Sequence, residues 1–153
     1  MKALAALLVF AAALAAGCGR GADSGDSAAR ATVTRYFAAL GQGRADAACR
    51  ELSEPSQEKL AEFGADALRL DARSCAATIQ RLLDSPAGPR LRALGRHVRI
   101  TSSERDGGRI AVRVAGVAKP VEVRGADSGW RIESAPSVEP DKLPSGERDG
   151  DRG

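Results

Sequence analysis

The sequence predicts an α+β domain: N-terminal helices packed on a curved four-stranded antiparallel sheet, cone-like in outline, behind a leader that is cleaved. Three observations predict it. Apolar residues recur at helical spacing from about Ala29 to Leu94. From His97 onward the period drops to two, with turn signals between short runs. Four such runs make a meander with one apolar face, that face needs cover, and the helices are the only cover the chain supplies.

The elements follow in order. Ser27 is an N-cap candidate for a first helix whose inward stripe is Ala29, Val33, Tyr36, Phe37 and Leu40, with Gly41 as its stop. After GQGR, the segment ADAACREL forms a second helix with Ala45, Ala48, Cys49 and Leu52 on one face. Ser53-Glu54-Pro55 restarts the chain, and SQEKLAEFG forms a third helix that buries Leu60 and Phe63 and ends at Gly64. Asp71 or Ser74 caps a fourth, striped by Cys75, Ile79, Leu82 and Leu83. A short turn, PRLRALG, closes the helical half at Gly95. His97 to Thr101 then alternates polar with apolar, and Asp106-Gly107-Gly108 signals a hairpin. Ile110, Val112 and Val114 face opposite to Arg109, Ala111 and Arg113. Pro120 breaks the chain, Val121 and Val123 alternate with Glu122 and Arg124, and a turn at Ala126 to Gly129 precedes Trp130 and Ile132. The expected inner face of the sheet is Val98, Ile100, Ile110, Val112, Val114, Val121, Val123, Trp130 and Ile132.

The ends of the chain read differently. Met1-Lys2 gives one positive charge, and Ala3 to Ala16 is an uncharged run of 14 residues. A basic start, a short apolar stretch and small residues before a cut make the pattern of a secretory leader over 1–17. The alternative is a transmembrane anchor, but about 20 apolar residues are needed to span a bilayer, and this run falls short. Ala15-Ala16-Gly17-Cys18 resembles a bacterial lipoprotein box, with Ala15 where leucine is usual and Leu14 one place early. The resemblance implies that Cys18 takes a diacylglyceryl group on sulfur and becomes the mature N-terminus. It would hold the protein by palmitate-type chains at the extracytoplasmic face of the cell membrane. Two acyl chains bind far more firmly than one, at about 0.8 kcal/mol per buried CH₂. Ordinary cleavage near Ala16, leaving a free thiol, is the alternative.

Cysteine arithmetic follows from that assignment. There are three cysteines, and an odd count in an exported protein leaves one to explain. With Cys18 lipidated, Cys49 and Cys75 remain as a pair, each on the inward face of a helix, where a disulfide would staple helix to helix. The alternative is two buried free thiols packing as small hydrophobes. A metal site needs more ligands than these, and the single histidine, His97, is the only candidate to join them, so neither metal nor cofactor is expected.

With 153 residues and a formal net charge of +3, the chain is one domain's worth. The expected organisation is leader 1–17, flexible tether 18–27 with a reach of roughly 15–20 Å, folded domain 28–136 and disordered tail 137–153. The tail has no apolar period, and its five acids (Glu139, Asp141, Glu147, Asp149, Asp151) outnumber three bases.

The YFAAL helix, the following GQGRADAAC, a second cysteine-bearing helix and a closing hairpin ending GWRIES resemble small secreted actinobacterial proteins of the nuclear-transport-factor-2-like (SnoaL-like) superfamily. The resemblance covers about Ala28 to Ser134. It implies a cone whose curved sheet and helices enclose a pocket. That superfamily hosts isomerases, dehydratases, hydrolases and many binding domains, so it does not choose a function.

Candidate chemistry is sparse. Enzymes of that superfamily use pocket carboxylates, and here Glu122 and Glu133 fall on the outer face. His97 sits at a strand's edge and reads as a solvated side chain. Ser56-Gln57-Glu58-Lys59 matches the S-x-x-K nucleophile pattern of penicillin-binding proteins, but a serine near a helix start reads as a cap. No catalytic residue is assigned. Between Arg81 and Arg113, eight arginines (Arg81, Arg90, Arg92, Arg96, Arg99, Arg105, Arg109, Arg113) face three acids. On an anchored protein they would either meet anionic headgroups, at about 1 kcal/mol each, or form a solvated face, which is the preferred reading. Nucleic-acid binding is not expected of an exported chain with few aromatics. The expected function is a lipid-anchored extracytoplasmic binding or accessory protein of the cell envelope, non-catalytic. Two rivals are an enzyme acting on a small apolar ligand in the cone, and a homodimerising assembly partner that uses Arg109, Arg113, Glu122, Arg124, Arg131 and Glu133 of the outer sheet face.

Overall fold

The computed structural model describes residues 20–71, 73–134 and 136. The expected leader 1–17, Cys18 and the expected tail 137–153 lie outside the described residues. Five helices precede four strands: α1 (Arg20–Gly41), α2 (Ala45–Glu51), α3 (Glu54–Ala67), α4 (Cys75–Leu83), α5 (Gly88–Arg96), then β1 (Ile100–Asp106), β2 (Arg109–Val114), β3 (Val121–Ala126) and β4 (Gly129–Ile132). The strands form one antiparallel sheet in the order β1-β2-β3-β4. This is the α+β architecture the periodicities predict.

The sheet's inner face is the expected one. Ile110, Val112, Val121, Val123 and Ile132 are at most 1% exposed, while Val98, Ile100 and Trp130 sit half-buried at its margins. The cover is principally α1, which touches all four strands and buries Ala29, Val33 and Phe37 completely. The remaining helices gather on and beyond α1: α2 and α5 pack on it, and α4 packs on α2, α3 and α5. Cys49 and Cys75 are joined in a disulfide, with a Cα–Cα distance of 6.1 Å, tying α2 to α4.

Three of the helix boundaries that differ from expectation involve glycines at close contacts. α1 starts at Arg20 rather than after Ser27, so residues 20–27, expected as part of a flexible tether, are helical. Gly25 is buried, and a Cβ there would meet Trp130 Cζ2 at 3.1 Å and Arg105 Nη2 at 2.7 Å. Docking on β1 and β4 gives this turn a tertiary reason to be helical that small residues leave invisible to periodicity. An Asp26–Arg30 ion pair of 3.1 Å adds to it. α3 runs through Gly64 to Ala67. Gly64 is buried where α3 crosses α4, and a Cβ there would collide with Thr78 Oγ1; the glycine serves contact, not termination. Phe63, expected inside, is 46% exposed. α5 contains Gly95 instead of stopping there, because a Cβ would strike the backbone of Phe37 and Gly41.

Of the two candidate caps for α4, Ser74 does the capping, its Oγ accepting from Ala77 N–H at 3.4 Å. The α2–α3 junction is stitched to the end of β4: Ser53 N–H donates to Ile132 O at 2.8 Å, and Leu52 pairs with Ile132 in a parallel bridge. On the outer face, Arg109 and Arg124 stand directly opposite each other across β2 and β3. Like charges so placed repel. Glu133 Oε2 lies 3.3 Å from Arg109 Nε and 3.4 Å from Arg124 Nε and offsets the repulsion.

Candidate functional site

The space worth describing lies among the helices. α1 and α5 approach backbone to backbone at Gly41 and Gly95, and α3 and α4 approach at Gly64 and Thr78. Between these two closely held pairs the side chains do not fill the gap. What remains is a cavity of about 110 Å³ lined by Tyr36, Phe37, Leu40, Leu60, Ile79, Leu82, Leu83, Leu91 and Pro136. No strand residue lines it. It lies on the helical side of α1, one layer away from the sheet-facing pocket that the resemblance implies, because α1 side chains occupy the sheet's inner face. Leu60, Leu82, Leu91 and Pro136 are half-buried and form its outer rim, while Phe37 and Leu83 close its floor.

Among the described residues, Tyr36 is the only polar side chain in the wall. It is 5% exposed, and its ring meets Phe37 edge-on at 5.3 Å between centroids. Its hydroxyl has no hydrogen-bond partner among the described residues. Burial alone pushes its pKa well above the ordinary tyrosine value, so the phenol stays neutral at physiological pH. Among the described residues, no arginine or carboxylate side chain lines the wall, so the cavity favours an uncharged occupant.

The other candidates are accounted for individually. Ser56 is 2% exposed; its Oγ donates to Glu133 O and accepts from Ser53 Oγ at 2.9 Å. That hydroxyl is committed to main-chain stitching, while Lys59 points to solvent. His97 is exposed and closes α5 through its backbone N–H, which donates to Ala93 O and Leu94 O. Within the arginine-rich stretch, Arg92 donates to Leu83 O at 2.8 Å and lies 3.6 Å from Asp84, and Arg109 engages Glu133. Arg81, Arg96, Arg99 and Arg113 are exposed. Glu133, offered as one half of a cross-molecule pair, is already held inside the chain by Arg109 and Arg124.

Of the four large aromatics among the described residues, Tyr36 and Phe37 reach the cavity, Phe63 lies at the surface, and Trp130 packs over Gly25 and Gly125. Sequence reasoning missed the cavity's rim, Leu91 and Pro136 above all. The available signal was Tyr36 itself, a hydroxyl placed on the inward stripe of a core helix. Among the described residues no group of three or more His, Cys, Asp or Glu is arranged to hold a metal ion, and no helix is long and apolar enough to cross a membrane. In comparison with known proteins, no family model, no curated protein and no solved structure matches the chain.

Proposed function

We propose that this chain is a lipid-anchored, extracytoplasmic binding or accessory protein of the cell envelope, acylated at Cys18 and without catalytic chemistry of its own. The observation that carries the reading is the Cys49–Cys75 disulfide. Such bonds persist in oxidising compartments and are rare in the cytosol, which agrees with the leader-like residues 1–17 and the Ala15-Ala16-Gly17-Cys18 pattern. Reading the domain as nuclear-transport-factor-2-like rests on the resemblance of its YFAAL, GQGRADAAC and GWRIES segments, with which the order of helices followed by an antiparallel sheet is compatible. An apolar cavity supports binding over catalysis, since acid–base chemistry needs a titratable group that can exchange a proton near neutral pH, and Tyr36 is shifted the wrong way.

The test is fractionation. Expressed as the full chain in a bacterium that processes lipoproteins, the protein is expected in the membrane fraction and labelled by palmitate. Cys18→Ser is expected to lose the label and move to the soluble extracytoplasmic fraction. A wild-type chain that takes no label, or a Cys18→Ser chain that stays with the membrane, overturns the anchor.

A further inference from the structure

We propose that the cavity between α1, α3, α4 and α5 is a binding site for a compact, uncharged, mostly apolar molecule carrying one hydrogen-bonding oxygen, with the Tyr36 hydroxyl as its polar contact. The inference rests on reading the domain as a binding module and is independent of the anchor at Cys18.

Two separate observations converge on it. The first is space. At about 110 Å³ the cavity is somewhat smaller than the apolar cavity of about 150 Å³ that takes up benzene. Its half-buried rim of Leu60, Leu82, Leu91 and Pro136 leaves it open toward the surface, so an occupant of on the order of seven heavy atoms fits without reaching the floor on all sides. The second is an unmet hydrogen bond. Buried hydroxyls are nearly always paired, and Tyr36 is 5% exposed with no partner among the described residues, in the wall of that same cavity. A phenol that stays neutral both donates and accepts, so it suits a hydroxyl, carbonyl or ether oxygen on the ligand. Charged ligands are disfavoured because no described residue of the wall would neutralise them.

The arrangement also explains why an aromatic with a hydroxyl occupies the place. A phenylalanine at position 36 would fill the same volume and leave nothing unsatisfied. A ligand oxygen that enters the cavity would meet that hydroxyl, a contact phenylalanine could not offer.

Phenol and toluene serve as probes, being nearly equal in size and differing in one hydroxyl. Their binding to the full chain is measured by titration calorimetry, alongside benzoate as the charged counterpart. Both neutral probes are expected to saturate, and benzoate is not. Tyr36→Phe, which keeps the ring and its packing, is expected to weaken phenol about fivefold or more while toluene stays within about twofold. The proposal is overturned if neither neutral probe saturates, if benzoate binds as tightly as phenol, or if Tyr36→Phe leaves phenol unchanged. The fate of the Cys18→Ser protein in fractionation bears on the anchor alone, so the two ideas fail separately.

Discussion

A buried hydroxyl with no partner among the described residues adds no protein hydrogen bond to the fold. Removing it should therefore not harm the unliganded chain, and Tyr36→Phe is expected to leave stability unchanged or raise it by up to about 1 kcal/mol in denaturant titrations. A loss of that size would mean the hydroxyl has a partner. Tyr36 is the chain's single tyrosine, so its ionisation can be followed alone by phenolate absorbance. The unfolded group titrates near its ordinary value of 10.0, and burial raises the folded value. The folded state therefore holds its proton longer. The stability linked to this is complete below about pH 10 and declines as pH rises above it. Phenolate absorbance should appear together with unfolding rather than before it. Elsewhere on α1, Arg35 grips Glu51 through two bonds of 2.9 Å and reaches Thr32 Oγ1 at 3.0 Å. That geometry is bidentate but half in solvent, so Glu51→Gln should cost only about 0.5–1 kcal/mol.

At the scale of elements, glycine contacts and one covalent bond set how the helices sit. Gly95→Ala would push its methyl into Phe37 O and the Gly41 backbone, neither of which can rotate away. It should destabilise by about 2–3 kcal/mol. Breaking the disulfide frees a loop of 26 residues, and the double variant Cys49→Ala/Cys75→Ala should lose about 3.5 kcal/mol in the chain-entropy account. Most element types and the strand order were legible, because Val112, Val123 and Ile132 alternate cleanly and the hairpin glycines sit between them. The helix ends were not. A glycine reads as a stop when only its propensity is known, and Gly64 and Gly95 are where they are because another backbone or side chain lies against them. The same blindness hid the cavity. Periodicity marks Tyr36, Leu40, Ile79, Leu82 and Leu83 as inward-facing, but it cannot say that the space they face is incompletely filled.

Across the whole molecule, α1 is the element on which both sides depend. Its one face seals the sheet with Ala29, Val33 and Phe37, and its other flank, at Tyr36 and Leu40, walls the cavity. A ligand there would press on the helix that also covers the strands, so binding of phenol should protect β2 and β3 amides in hydrogen exchange although no strand residue touches the cavity. Unchanged strand protection at saturating phenol would show that the two sides of α1 open independently.

α1 begins at Arg20, two positions after the sulfur proposed to carry lipid. Two residues extend at most about 7 Å, so acylation at Cys18 would hold the folded body almost on the headgroups, with no slack to roam above them. The first turns of that helix, and the β1 and β4 side chains Arg105 and Trp130 that flank Gly25, would then lie nearest the lipid.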